Sequence, residues 1–119
     1  MAIQRVMETT GEPKTTVKHT CDDIAETLDD VTGFDYQYTR TYLGQTLSVN
    51  VIGCLLTIED NDIRIAWGTN PTQAGVGHVI AVGQSIKLTN HKQISDFRFI
   101  NKTNGSDAVI QLTPEVSNV

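Results

Sequence analysis

Among the side chains of this chain that could ligate a metal or move a proton, three histidines, two cysteines and the acidic runs Asp22-Asp23 and Glu59-Asp60-Asn61-Asp62 stand out from scattered carboxylates. His19-Thr20-Cys21 offers two ligands side by side, but a zinc site takes four. His78, His91 and Cys54 stand at no spacing that completes one. Asp22-Asp23 and Glu59-Asp60-Asn61-Asp62 are rich in oxygen, yet neither has the ligand spacing of a helix–loop–helix calcium site. A helix start accounts for the first and a tight turn for the second. Gly75-Val76-Gly77-His78-Val79-Ile80 opens like a dinucleotide-binding loop, but it lacks the third glycine and the strand–turn–helix setting. There is no G-x-S-x-G and no paired Cys and His with local support for a nucleophile. These residues predict a non-enzymatic protein, with no catalytic residue, no metal and no cofactor. Trp67, the only tryptophan, reads as a core anchor on a face shared with Ile63 and Ile65. The competing reading is a sugar-stacking platform beside the Gly68 to Gly83 loop, as in a carbohydrate-binding module.

The elements around these residues read as β. The 119-residue chain is long enough for one domain with its own core. It is 39% hydrophobic and only 19% charged, and much of the remainder is Thr, Asn, Gln, Ser and Gly. Thr packs on a pleated surface, and Asn and Gly permit tight turns. The net charge of −5 gives no basic footprint, which argues against nucleic acid. The N-terminus has no apolar core of a signal peptide and no run is long enough to span a membrane, so the expectation is synthesis in a cytoplasm with Cys21 and Cys54 reduced. The sequons at Asn101 and Asn104 are then turn residues.

Residues 1–20 are expected to form an extended N-terminal arm, and residues 21–119 a single β-sandwich or jelly-roll-like domain. The arm is polar and broken by Gly11 and Pro13. It carries Ile3, Val6, Met7 and Val17 as candidate partner-binding anchors, ordering against a neighbouring subunit. Cys21, Ile24, Ala25, Leu28 and Val31 fall on one stripe at helical spacing, which predicts at most one short helix near Cys21 to Asp30. From Phe34 to Tyr42 the aromatic residues alternate with polar ones, and Leu47 to Ile58 is a denser apolar run. Asp60-Asn61 and Asn104-Gly105 are hairpin turn signals. Asn90-His91 reads as a turn. Ile94 to Ile100 and Ala108 to Thr113 read as strands, and Pro114 as the end of the last one, at a sheet edge. The expected core is Leu47, Val49, Val51, Leu55, Ile58, Ile63, Ile65, Phe97, Phe99, Ile110 and Leu112, with Cys54 as a small core residue.

Four stretches also resemble a known family. They are Ile63-Arg64-Ile65-Ala66-Trp67-Gly68-Thr69-Asn70-Pro71-Thr72, Gly77-His78-Val79-Ile80, Gly83-Gln84-Ser85-Ile86-Lys87-Leu88 and Ile94-Ser95-Asp96-Phe97-Arg98-Phe99-Ile100, followed by Asp107-Ala108 and Thr113. This pattern is similar to small proteins encoded among the structural genes of tailed bacteriophages and prophages. The likeness covers about half of the chain, from Ile58 to Pro114. It implies a virion component that binds the major capsid protein or other virion proteins. A capsid decoration or cement protein is the first expectation, with a neck or tail accessory as the alternative. A homotrimer is implied by the threefold sites of capsid surfaces. It supplies no catalytic residues.

Overall fold

The computed structural model describes residues 12–117. Ten strands and one short α-helix follow in order: β1 (Glu12–Pro13), β2 (Val17–Cys21), β3 (Glu26–Thr27), β4 (Gln37–Tyr42), β5 (Gln45–Asp60), β6 (Ile63–Trp67), β7 (His78–Ile80), β8 (Ser85–Leu88), α1 (His91–Asp96), β9 (Phe97–Asn101) and β10 (Ala108–Val116). All pairings are antiparallel, and they make two sheets. The first is built on β5 and β10. β1 and β2 lie against the other side of β10, and β4 and β8 pair with β5. The second runs β3-β9-β6-β7. The expected all-β class is what the chain adopts.

One apolar cluster joins the sheets. Cys21, Val51, Cys54, Leu56, Ile58, Ile110 and Leu112 come from the first, and Ile63, Ile65, Phe97 and Phe99 from the second. Period-2 alternation explains the inward faces of β6, β9 and β10. Along β5 the buried positions run Val51, Gly53, Cys54, Leu56 and Ile58. The register slips at this point, with Val116 opposite Val51 and Glu115 opposite Gly53. A bulge of this kind reverses the inward parity of a strand. Leu55 therefore faces out at 41% exposure, and Leu47 is equally exposed. Both were expected in the core; Val49 is only partly buried.

Several local expectations fail for identifiable reasons. The stripe from Cys21 to Val31 forms no α-helix. It is the end of β2, a bend, β3 and a single 3-10 turn at Leu28–Asp30. Cys21, Leu28 and Val31 are buried while Ile24 is 70% exposed. The Asp30 carboxylate accepts the Thr27 N–H at 3.0 Å and tightens that turn. The true helix is α1, where a turn and then a strand were expected. The Asn90 side chain caps it by accepting the Gln93 N–H at 2.9 Å, and Gln93 reaches back to accept the Thr89 N–H at 2.9 Å. The arm boundary also moves. Val17–Thr20 belong to β2 and pair with β10 of the same chain, and β1 adds Glu12–Pro13 to that edge.

Of the two hairpin signals, Asn104-Gly105 does close a tight turn, with Thr103 bridged antiparallel to Ser106 and the Ser106 N–H donating to the Thr103 carbonyl at 3.0 Å. Neither signal joins two paired strands. β5 does not pair with β6, nor β9 with β10. Asp60-Asn61 and Asn104-Gly105 instead carry the chain from one sheet to the other. Pro114 does not end β10 either. It lies opposite Cys54 within the strand, and its carbonyl accepts the Lys14 N–H on the far side. The missing proline N–H thus faces the break between β1 and β2, where no ladder bond is lost.

Candidate functional site

Three places concentrate polar or exposed groups. The first is a polar knot where the chain crosses between sheets. Asn101 is fully buried at the end of β9. Its amide donates to Asp23 Oδ1 at 2.8 Å and to the Ser106 carbonyl at 3.2 Å, while its Oδ1 accepts from Gln73 Nε2 at 2.6 Å. Asp23 Oδ1 also accepts from the Gly105 N–H at 2.8 Å and from Gln73 Nε2 at 3.1 Å. The Asn101 amide, then the Gly105 N–H and Gln73, hold the Asp23 carboxyl below its ordinary value. The donors converge on one carboxylate that ties the bend after β2 to the loops before β7 and β10. The acidic turn plays a similar part. Asn61 Nδ2 donates to the Asp107 carbonyl at 2.7 Å, and the Asp62 carbonyl accepts the Lys102 N–H at 3.0 Å.

The second place is the outer face of the second sheet. Arg64 on β6 and Arg98 on β9 point away from the core and hold the loop that follows β6. Arg64 donates to the Gln73 carbonyl at 3.3 Å and the Gly77 carbonyl at 2.9 Å, and Arg98 to Asn70 Oδ1 at 2.9 Å. Pro71 is buried beneath this loop. Gly77, at φ 114°, comes so close to the sheet that an added Cβ would stand 2.8 Å from the Ile65 carbonyl oxygen. Only glycine fits there. The arginines and Gly77 of the Ile63–Ile100 pattern thus position a loop. Trp67 is 42% exposed, packs edge-on against Phe97, and donates its Nε1–H to the Gln93 carbonyl at 3.0 Å.

The third place is the β4–β5 hairpin. Its tip exposes Leu43 at 86% and Tyr42 at 61%. Leu43 and Gly44 both take positive φ, 50° and 78°, the geometry of a type I′ turn. The base is tied down: Arg40 pairs with Glu12 at 3.0 Å, and Lys14 lies over the Tyr38 ring at 5.7 Å. No motif in the sequence singles out this tip. The available signal was a two-residue turn carrying leucine where asparagine is usual.

The histidines are scattered. His19 on β2 bonds Glu26 at 2.9 Å and meets Phe99 edge-on; His91 bonds the Val51 carbonyl at 3.1 Å; His78 sits exposed on β7. Among the described residues no three of His, Cys, Asp and Glu come together as a metal set. Cys21 and Cys54 are buried free thiols. Burial raises both, Cys54 to about 12, which keeps the thiolate scarce at neutral pH. Of the four proposed anchors, Ile3, Val6 and Met7 lie outside the described residues. Val17 sits in β2, packed against its own chain's core. No helix is long and apolar enough to cross a membrane among the described residues. Comparison with protein-family models and with curated proteins returns no match for this chain.

Proposed function

We propose that this chain is a non-enzymatic structural protein of a tailed-bacteriophage particle, one that decorates or cements the outer surface of the capsid. The observation that carries the reading is the role of the residues behind the phage-like pattern. They build one unit, β6 to β9 with α1 and the loop clamped by Arg64 and Arg98. A pattern of this kind maintains a rigid surface and needs no reacting group. The side chains presented at the hairpin tip are apolar and uncharged, suited to contact with another protein. Many identical copies on a particle would supply avidity, so each contact can be weak. The major capsid protein is the partner in this reading, and Ile3, Val6 and Met7 add anchors toward a neighbouring subunit of a homotrimer.

Protein composition of purified particles tests this. Hundreds of copies per particle are expected for decoration. Six or twelve would transfer the protein to the neck or tail, and none would refute a virion role. Replacing Ile3, Val6 and Met7 together by Asp should release the protein from particles while leaving it folded. A second reading rests on Trp67, whose half-exposed indole could stack on a sugar. A glycan array showing sugar retained by the isolated protein and lost in Trp67→Ala would favour it.

A further inference from the structure

The turn between β9 and β10 places an asparagine directly before a glycine, at Asn104-Gly105. The chain has seven asparagines, and only Asn104 is followed by glycine. Five of the others precede bulkier residues, and Asn70 precedes Pro71, which has no N–H. An asparagine side-chain carbonyl lies within reach of the next backbone nitrogen, and glycine puts no side chain in the way of attack. Asn104 is exposed, so water reaches it. The Gly105 N–H must lose its proton before the nitrogen can attack, and it is committed: it donates to Asp23 Oδ1 at 2.8 Å. The donors on Asp23, the Asn101 amide first, hold its carboxyl below the ordinary value, so it is ionised at neutral pH. Deprotonating Gly105 would set a second negative charge 2.8 Å from the first. This bond joins positions 82 residues apart in the chain, so it exists only once the polar knot has formed.

We propose that Asn104 is a site of self-catalysed deamidation, and that the Asp23 carboxylate holds it closed for as long as the knot is tied. In the reaction the Gly105 nitrogen gives its proton to hydroxide and attacks Asn104 Cγ. A C–N bond forms, and the side-chain nitrogen leaves as ammonia with a proton from solvent. The backbone is left in a cyclic imide. Water adds to either imide carbonyl and breaks its bond to nitrogen, which gives an aspartate or an isoaspartate. The net exchange is water taken up and ammonia released, with no oxidant, reductant or enzyme. Either product carries a new carboxylate on the residue next to the one that bonds Asp23, and like charges there work against re-forming the knot. The site therefore records, irreversibly, the time a chain has spent with its knot open. This inference is independent of the virion reading, because it concerns the chemistry of the purified chain alone.

The test holds the full chain at mildly alkaline pH, with and without urea, and follows Asn104 by peptide mass spectrometry. In urea, Asn104 should deamidate faster than Asn61. Folded wild type should deamidate at Asn104 about tenfold or more slowly than the unfolded chain, the effect of at least one pKa unit at the Gly105 N–H. Asp23→Ala, checked as folded by circular dichroism, should recover about that factor and leave the rate in urea unchanged. Asp23→Asn keeps an acceptor without the charge and should fall between; if Asp23→Ala does not fold, it carries the same comparison. Gln73→Ala removes another arm of the knot but leaves the bond from Gly105 to Asp23, so its rate should stay close to that of the wild type. Equal rates for folded and unfolded wild type overturn the proposal, as do folded Asp23 variants no faster than the wild type. It also falls if Gln73→Ala matches the Asp23 variants, since general loosening would then be the cause.

Discussion

Asn61 and Leu43 are the two non-glycine residues with positive φ among the described residues, at 60° and 50°. They occupy opposite situations. Asn61 turns the chain from β5 into the other sheet, its side chain tied to Asp107 and its neighbour Asp62 tied to Lys102 and to the Val82 N–H. Asparagine tolerates this backbone, and the surroundings fix it. Leu43 takes a similar backbone at the end of a two-stranded projection, with an apolar side chain in water. At one turn the local chemistry and the fold agree; at the other the cost is left standing. Strain with no local compensation is where an external contact should be sought.

Four experiments can break or sharpen this contrast. The largest effect belongs to the body that Asn61 serves: Phe99→Ala, which removes a fully buried ring, should cost about 3–5 kcal/mol in urea denaturation. A loss near zero would mean that the two sheets do not share a core. Exchanging the turn residues comes next. Asn61→Leu should cost about 1–2 kcal/mol for the left-handed leucine, and roughly 1 kcal/mol more for the lost bond to Asp107. Leu43→Asn should have the opposite sign, stabilising the isolated chain by up to about 1 kcal/mol; destabilisation there would show that Leu43 serves its own fold. The smallest effect is with pH. Because the Asp23 carboxyl titrates below its ordinary value in the folded chain, its contribution is fully present above about pH 4, the unfolded carboxylate range. It is lost as pH falls through the folded value. Asp23→Asn should flatten that part of the melting temperature against pH, and an unchanged slope would remove Asp23 from the acid response.

The contrast also marks how far the sequence could be read. Strand periodicity located β4, β6 and β10 and the inward faces of Phe97 and Phe99, because alternation is a property of single strands. Partner choice is not. Asp60-Asn61 and Asn104-Gly105 carry real turn chemistry, yet a turn does not reveal whether the next strand pairs with the last or crosses to another sheet. Leu55 was misplaced by a parity change at a bulge that depends on β10. The helical stripe from Cys21 to Val31 was a coincidence of spacing, exposed by Ile24, whereas the true helix announced itself through Asn90 and Gln93 in only six residues. Of the candidate anchors, Val17 fell on the strand pattern of β2. The exposed tip went unread because its signal is a single residue, a leucine in a left-handed turn position where asparagine is usual.

The position of β10 has a consequence for how the protein is made. β10 lies in the interior of its sheet, with β5 on one side and β1 and β2 on the other. β2 is among the first described segments to leave the ribosome and β10 the last, so Val17–Cys21 must wait for nearly the whole chain before meeting its partner. The side of β5 that receives β10 stays open for the same interval. Pairings of such long sequence separation fold slowly and leave apolar edges uncovered meanwhile. Synthesis on clustered ribosomes would therefore bring together nascent chains that all lack the same strand. A β10 released from one chain can complete the β5 of another, which makes strand exchange the characteristic misassembly of this fold.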